Sequence, residues 1–146
     1  MTTEKDIFTV MVNKEPHIAK AQIAALLLAR SIGFLDVETG CVATSVSELA
    51  NNLLSHTPKG GTITMIAIKQ NGKVGIEIIA VDEGPGIPDL KQAMQDGFST
   101  NRGLGGGLPG VKRLMDEFHI TSAVGTGTRI VTRKWLHANS DNKTGS

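Results

Sequence analysis

Apolar and polar positions along this chain switch between two periods. Ile7, Phe8, Val10 and Val12 alternate in part and predict a first strand. Pro16 then suits a helix start. Ile18, Ile23, Leu26, Leu27 and Ile32 recur at roughly helical spacing, and Gly33 is a natural stop. The wide apolar face of this helix is expected to pack on a sheet. Asp36 reads as the N-cap of a second helix. Its core stripe is Val42, Val46, Leu49 and Leu53, spaced four, three and four apart. Glu48, Asn51, Asn52 and His56 lie off that stripe. Glu48, Asn52 and His56 are four apart and share one side of the helix. Pro58, Lys59, Gly60 and Gly61 end it.

Residues 62–70 and 73–82 both read as strands, joined by Asn71-Gly72, a strong two-residue hairpin signal. A short helix is expected over residues 89–95, between Pro88 and Gly97, followed by a polar, mobile loop at 98–102. Pro109 suits the first turn of a further helix with Val111, Leu114, Met115 and Phe118 on its apolar face. Residues 120–124 and 128–136 form a last hairpin around Gly125-Thr126-Gly127. Residues 137–146 are polar and are expected to be a disordered tail. About five strands joined largely by hairpins, with four helices, predict an α/β (α+β) fold. It is a two-layer sandwich in which helices cover one face of a mixed, mostly antiparallel sheet. The domain spans residues 7–136.

Composition narrows the class. At 146 residues, 40% hydrophobic and 20% charged, the chain suits one soluble domain. A net charge of +1 demands neither nucleic acid nor an anionic membrane. Aromatics are only 3%, which argues against base stacking on single strands. The longest fully apolar run, residues 23–29, is far short of a membrane span, and residues 1–6 do not read as a signal peptide. A single cysteine, Cys41, expected to be a packed thiol, fits a reducing cytoplasm.

The candidate chemistry lies between Asp82 and Gly110, which hold eight of the 17 glycines. Glycine is costly to order, so a fold keeps it where backbone bends sharply or comes close to something. A carboxylate just past a strand can accept a hydrogen bond from a base. A string of backbone N–H groups opening a helix can hold phosphates. Gly105-x-Gly107-x-x-Gly110 matches the dinucleotide fingerprint, but that motif needs a buried strand directly before it, and residues 95–102 are none. No Gly-Lys-Ser/Thr follows, so a phosphate-binding lysine loop fails too.

The elements together are more specific. Glu48 and Asn52 share a helix, a hairpin follows, Asp82-x-Gly84-x-Gly86 ends its second strand, residues 103–110 open a helix, and Gly125-Thr126-Gly127-Thr128 sits in the last hairpin. This order resembles the ATP-binding (Bergerat) fold shared by gyrase B, Hsp90, histidine kinases and MutL proteins, the GHKL superfamily. Residues 43–50, 92–100 and 105–118 narrow the likeness to the RsbT-type serine/threonine kinases of the bacterial stressosome. The resemblance implies that Asp82 accepts the adenine amino group while Gly84 and Gly86 let backbone approach the base. It implies that Asn52 ligates Mg²⁺ and that Thr128 supports the adenine site. Ser99, Thr100, Arg102, Gly103, Leu104, Gly105, Gly106, Gly107 and Leu108 would form the lid over the phosphates of ATP. It also implies partners: STAS-domain scaffold and antagonist proteins as substrates, and a PP2C-type phosphatase activated afterwards.

Elementary chemistry agrees with a kinase. Phosphoryl transfer needs positioning, charge neutralisation and an acceptor for the hydroxyl proton. Mg²⁺ keeps several waters, so one protein oxygen such as that of Asn52 suffices. Glu48, one turn earlier, is the candidate general base. Two other readings stay open. One is a non-catalytic, ATP-dependent partner switch or anti-sigma factor of the same fold. The other is the catalytic domain of a histidine kinase whose phosphoacceptor module is supplied in trans.

Overall fold

The computed structural model describes residues 7–57, 59–82, 84 and 107–137. Five strands form one sheet: β1 (Ile7–Val12), β2 (Gly61–Gln70), β3 (Lys73–Asp82), β4 (Glu117–Ala123) and β5 (Gly127–Trp135). Their order is β1-β2-β3-β5-β4, and every neighbouring pair is antiparallel. Among the described residues there are three helices, α1 (Pro16–Ile32), α2 (Asp36–His56) and α3 (Gly107–Leu114). The expected helix at 89–95, the loop at 98–102 and residues 138–146 lie outside the described residues.

One face of the sheet is the core face. Val10, Val12, Ile63, Met65, Ile76, Ile78, Ala80 and Ile130 alternate inward from four strands and meet Val42, Val46, Leu49 and Leu53 of α2. The expected α2 stripe is therefore the buried one. Leu108 and Val111 bring α3 into the same cluster. Burying each is worth about 1.5–3 kcal/mol, which helps hold a short helix with glycine at its first and fourth positions. Asn71 at φ 52° and Gly72 at φ 80° both take the left-handed backbone that a tight hairpin of this type requires. Gly33, at φ 118°, ends α1 as predicted.

Three expectations are corrected. The packed side of α1 is Ala21, Ala25, Leu28 and Ala29, with Ile18 and Ile32 partly buried, whereas Ile23 and Leu27 face outward at 58% and 60% exposure. The small alanines let the helix backbone come close to its neighbours, so the larger residues do not mark the inner face. Asp36 is the first helical residue and not the cap, which is Leu35 without a side-chain bond. Phe118 belongs to β4 and not to the preceding helix, because the Asp116 N–H donates to the Arg133 carbonyl at 2.9 Å and starts the β4–β5 ladder.

The outer face of the sheet carries an ionic row. Glu77, Arg133 and Glu117 stand directly opposite one another on β3, β5 and β4. Arg133 Nε donates to Glu77 Oε2 at 2.7 Å and an Arg133 terminal nitrogen donates to Glu117 Oε1 at 3.0 Å. The indole N–H of Trp135 donates to Glu117 Oε2 at 2.6 Å. Gly75 makes room for that indole: a Cβ there would lie 2.8 Å from Trp135 Cε3. The Glu117 carboxyl is held below the usual glutamate range, first by the indole bond and then by Arg133, against the cost of desolvation.

A depressed carboxylate pKa contributes stability that is present above its unfolded value and is lost as pH falls through the folded one. Trp135 is the sequence's single tryptophan, so its emission reports this titration. The emission change is expected at a pH below the ordinary glutamate range while far-ultraviolet circular dichroism stays constant. Arg133→Gln is expected to move it to higher pH. A transition unmoved by the substitution contradicts this account.

Candidate nucleotide site

Asp82, Gly84 and Thr128 meet at one end of the sheet. Asp82 is the last residue of β3 and points inward, 5% exposed. Its Oδ1 accepts the Gly84 N–H at 2.8 Å. This bond is an Asx-type turn, in which the side chain mimics a carbonyl and bends the chain away from the strand. Opposite Asp82 on one side is Gly61 and on the other Thr128. A Cβ on Gly61 would come within 2.9 Å of Leu53 Cδ2 and 3.1 Å of Asp82 Cβ. The bare backbone at Gly61 thus lets α2 come up against the end of β3. Leu53, which directly follows Asn52 in the chain, and Asp82 thus flank the same stretch of bare backbone.

Thr128 is 5% exposed, and its hydroxyl pairs with that of Ser122 across β4 and β5 at 2.9 Å. Asp82, Ser122 and Thr128 line an open cleft of about 430 Å³ at the end of the sheet, together with Thr126 and with Val81, Thr121 and Arg129 of the outer face. That volume is in the range of small-molecule sites. Ser122 and Gly61 were not singled out from the sequence. A serine in a strand gives no signal by itself. Its role follows from the register that sets it opposite Thr128.

Glu48 is 8% exposed on α2, and Asn52 is half-buried one turn later. Helix α2 packs on both β3 and α3. Its apolar stripe faces the sheet whose third strand ends in Asp82, and the helix also meets α3, which begins with Gly107 and Leu108. Gly107 and Leu108 are buried at the start of α3, and Pro109 lies in its first turn, where a missing N–H costs nothing. Gly86, Ser99, Thr100, Arg102, Gly103, Leu104, Gly105 and Gly106 lie outside the described residues. Among the described residues no group of three or more His, Cys, Asp or Glu forms a metal cage. The amide oxygen of Asn52 suits a magnesium ion that keeps waters and phosphate oxygens as its other ligands.

Of the other singled-out residues, Cys41 is half-buried and free. His17 Nδ1 accepts the Asn13 N–H at 3.2 Å and braces the start of α1. No helix among the described residues is long and apolar enough to cross a membrane.

An antiparallel five-stranded sheet under helices, with a buried aspartate ending a central strand, is the architecture of an ATP-binding domain of the GHKL class. The sequence description of the histidine kinase-, DNA gyrase B- and HSP90-like ATPases matches residues 42–138. The chain belongs to that family, and within it stands with its serine/threonine protein kinases. It is 46% identical over 127 residues to the serine/threonine-protein kinase RsbT of Bacillus subtilis (strain 168), covering 87% of this chain and 95% of that protein. An anti-sigma F factor of Caldanaerobacter subterraneus subsp. tengcongensis is 36% identical over 107 residues, covering 70% and 73%. The histidine kinase domain of the Erythrobacter litoralis EL346 blue-light activated kinase superposes with a TM-score of 0.51 at 21% identity. That match covers 82% of this chain and 59% of that one. The mycobacterial sensor histidine kinase MprB gives 0.51 at 17% identity, covering 88% and 97%. At these identities the two structures speak for the fold alone.

Proposed function

We propose that this protein is a cytoplasmic switch kinase that uses Mg²⁺-ATP to phosphorylate a serine or threonine of STAS-domain proteins in a stressosome-like complex. It then changes partner and activates a PP2C-type phosphatase. Asp82 accepts the adenine amino group, with Thr128 beside it and Gly84 and Gly86 giving access for the base. Asn52 supplies one oxygen to the magnesium ion, which neutralises phosphate charge when bound. The backbone N–H groups of residues 103–108 and the start of α3 hold phosphate oxygens, with Ser99, Thr100 and Arg102 closing over them. Glu48 takes the proton of the incoming hydroxyl.

The observation that carries this reading is the buried Glu48 one turn before Asn52, on the helix that meets both β3 and α3. A carboxylate held there by the helix is a candidate to take the proton of an incoming hydroxyl. A solvated helix side, the plain alternative for Glu48, does not agree with 8% exposure.

Likeness to an anti-sigma F factor supports a second reading, in which nucleotide only sets which partner is held. Incubation with labelled ATP and candidate STAS-domain proteins, followed by mapping of the modified residue, separates the two. Acid-stable phosphate on a partner serine or threonine is expected. Bound ATP with no transfer to any such partner favours the second reading. Acid-labile phosphate points instead to histidine kinase chemistry.

A further inference from the structure

Lys134 stands on the core face of β5, three inward positions beyond Thr128, and is only 9% exposed. Its Nζ donates to the Leu114 carbonyl at 2.9 Å and lies 4.0 Å from Asp116 Oδ1. Leu114 is the last residue of α3. The sheet thus places a buried ammonium on the last carbonyl of the helix whose opposite end begins at Gly107, next to the proposed phosphate loop. A lysine is rarely buried unless something requires it there. Two other cations, Lys112 and Arg113, already occupy the last turn of α3, but both are exposed, where solvent screens them.

We propose that Lys134 is a positioning residue for the nucleotide's phosphates, acting through α3. The inference rests on the nucleotide reading given above. A helix carries partial negative charge at its C-terminus and partial positive charge at its N-terminus. An α3 of eight residues is only about 12 Å long, so its negative end would repel bound phosphates from close by. The buried ammonium, shared between the Leu114 carbonyl and the Asp116 carboxylate, offsets that end and so favours the positive one. The same bond fixes the axis of α3 to β5, and Thr128 at the far end of that strand supports the adenine pocket. One strand therefore holds both ends of the nucleotide in register.

The test compares wild type with Lys134→Gln, Lys134→Met and Lys134→Arg, measuring dissociation constants for ATP, ADP and adenosine at fixed Mg²⁺. Gln keeps a donor on a side chain one bond shorter and carries no charge, whereas Met has neither. Arg keeps the charge. Both Gln and Met are expected to weaken ATP by about threefold or more, ADP by less and adenosine little, with Arg restoring the ratio of ATP to adenosine affinity. A merely structural lysine would lower the melting temperature and leave that ratio alone. Should the Met variant fail to fold, the Gln variant decides. ATP binding by wild type with an unchanged ratio in the Gln variant overturns this inference alone. Failure of wild type to bind ATP overturns it together with the reading it rests on.

Discussion

Asp82→Asn is expected to weaken ATP binding by about ten- to a hundredfold without unfolding the protein. A hydrogen bond to a charged group is worth about 1.5–3 kcal/mol, and each 1.4 kcal/mol is a factor of ten in affinity. The substitution is nearly isosteric, which suits a residue only 5% exposed. The amide oxygen of Asn can still accept the Gly84 N–H that Oδ1 now accepts at 2.8 Å. Keeping that turn leaves the amide NH₂ at the second oxygen's position, where a donor would meet the donor of the adenine amino group. Calorimetric titration with ATP checks this, with thermal unfolding run in parallel. An unchanged dissociation constant contradicts the adenine assignment of Asp82.

Glu48→Gln is expected to act on the other half of the reaction. Loss of a general base lowers a rate by about 10²–10⁴-fold, while ATP affinity should stay close to wild type because the proton acceptor is not asked to hold the nucleotide. Gln keeps the volume of a side chain that is 8% exposed, so the helix should not rearrange. Single-turnover transfer from labelled ATP to the partner protein measures it. Transfer at the wild-type rate would remove Glu48 from the chemistry and leave it as a structural carboxylate of α2. If partner exchange also proceeds normally in a transfer-dead variant, the nucleotide alone drives the switch.

The parts of the fold that were legible in the sequence are those where a local signal and the tertiary answer coincide. The α2 stripe of Val42, Val46, Leu49 and Leu53 is buried as its spacing predicts. Asn71-Gly72 turns the hairpin because few other pairs tolerate left-handed backbone twice. The α1 face was misread because large apolar residues were weighted over alanine, and the packed side is the one with least bulk. Phe118 was misread because helix and strand periods overlap at one residue, and the choice fell to the Asp116–Arg133 backbone bond. In the site, Glu48, Asn52 and Asp82 stood out by residue type and order. The setting of Asp82 did not, because it depends on the bare backbone of Gly61 and on the pairing of β5 between β3 and β4.

That strand order has a consequence for synthesis. β1, β2 and β3 follow one another along the chain and can pair as they emerge, leaving β3 with an open edge. β5 fills that edge although it comes after β4, so the middle of the sheet is sealed by the last strand to be made. Thr128, the partner opposite Asp82, arrives with it. An incomplete chain stalled before β5 would leave the edge of β3 unpaired and Asp82 without its neighbour Thr128, the two residues proposed to meet the adenine.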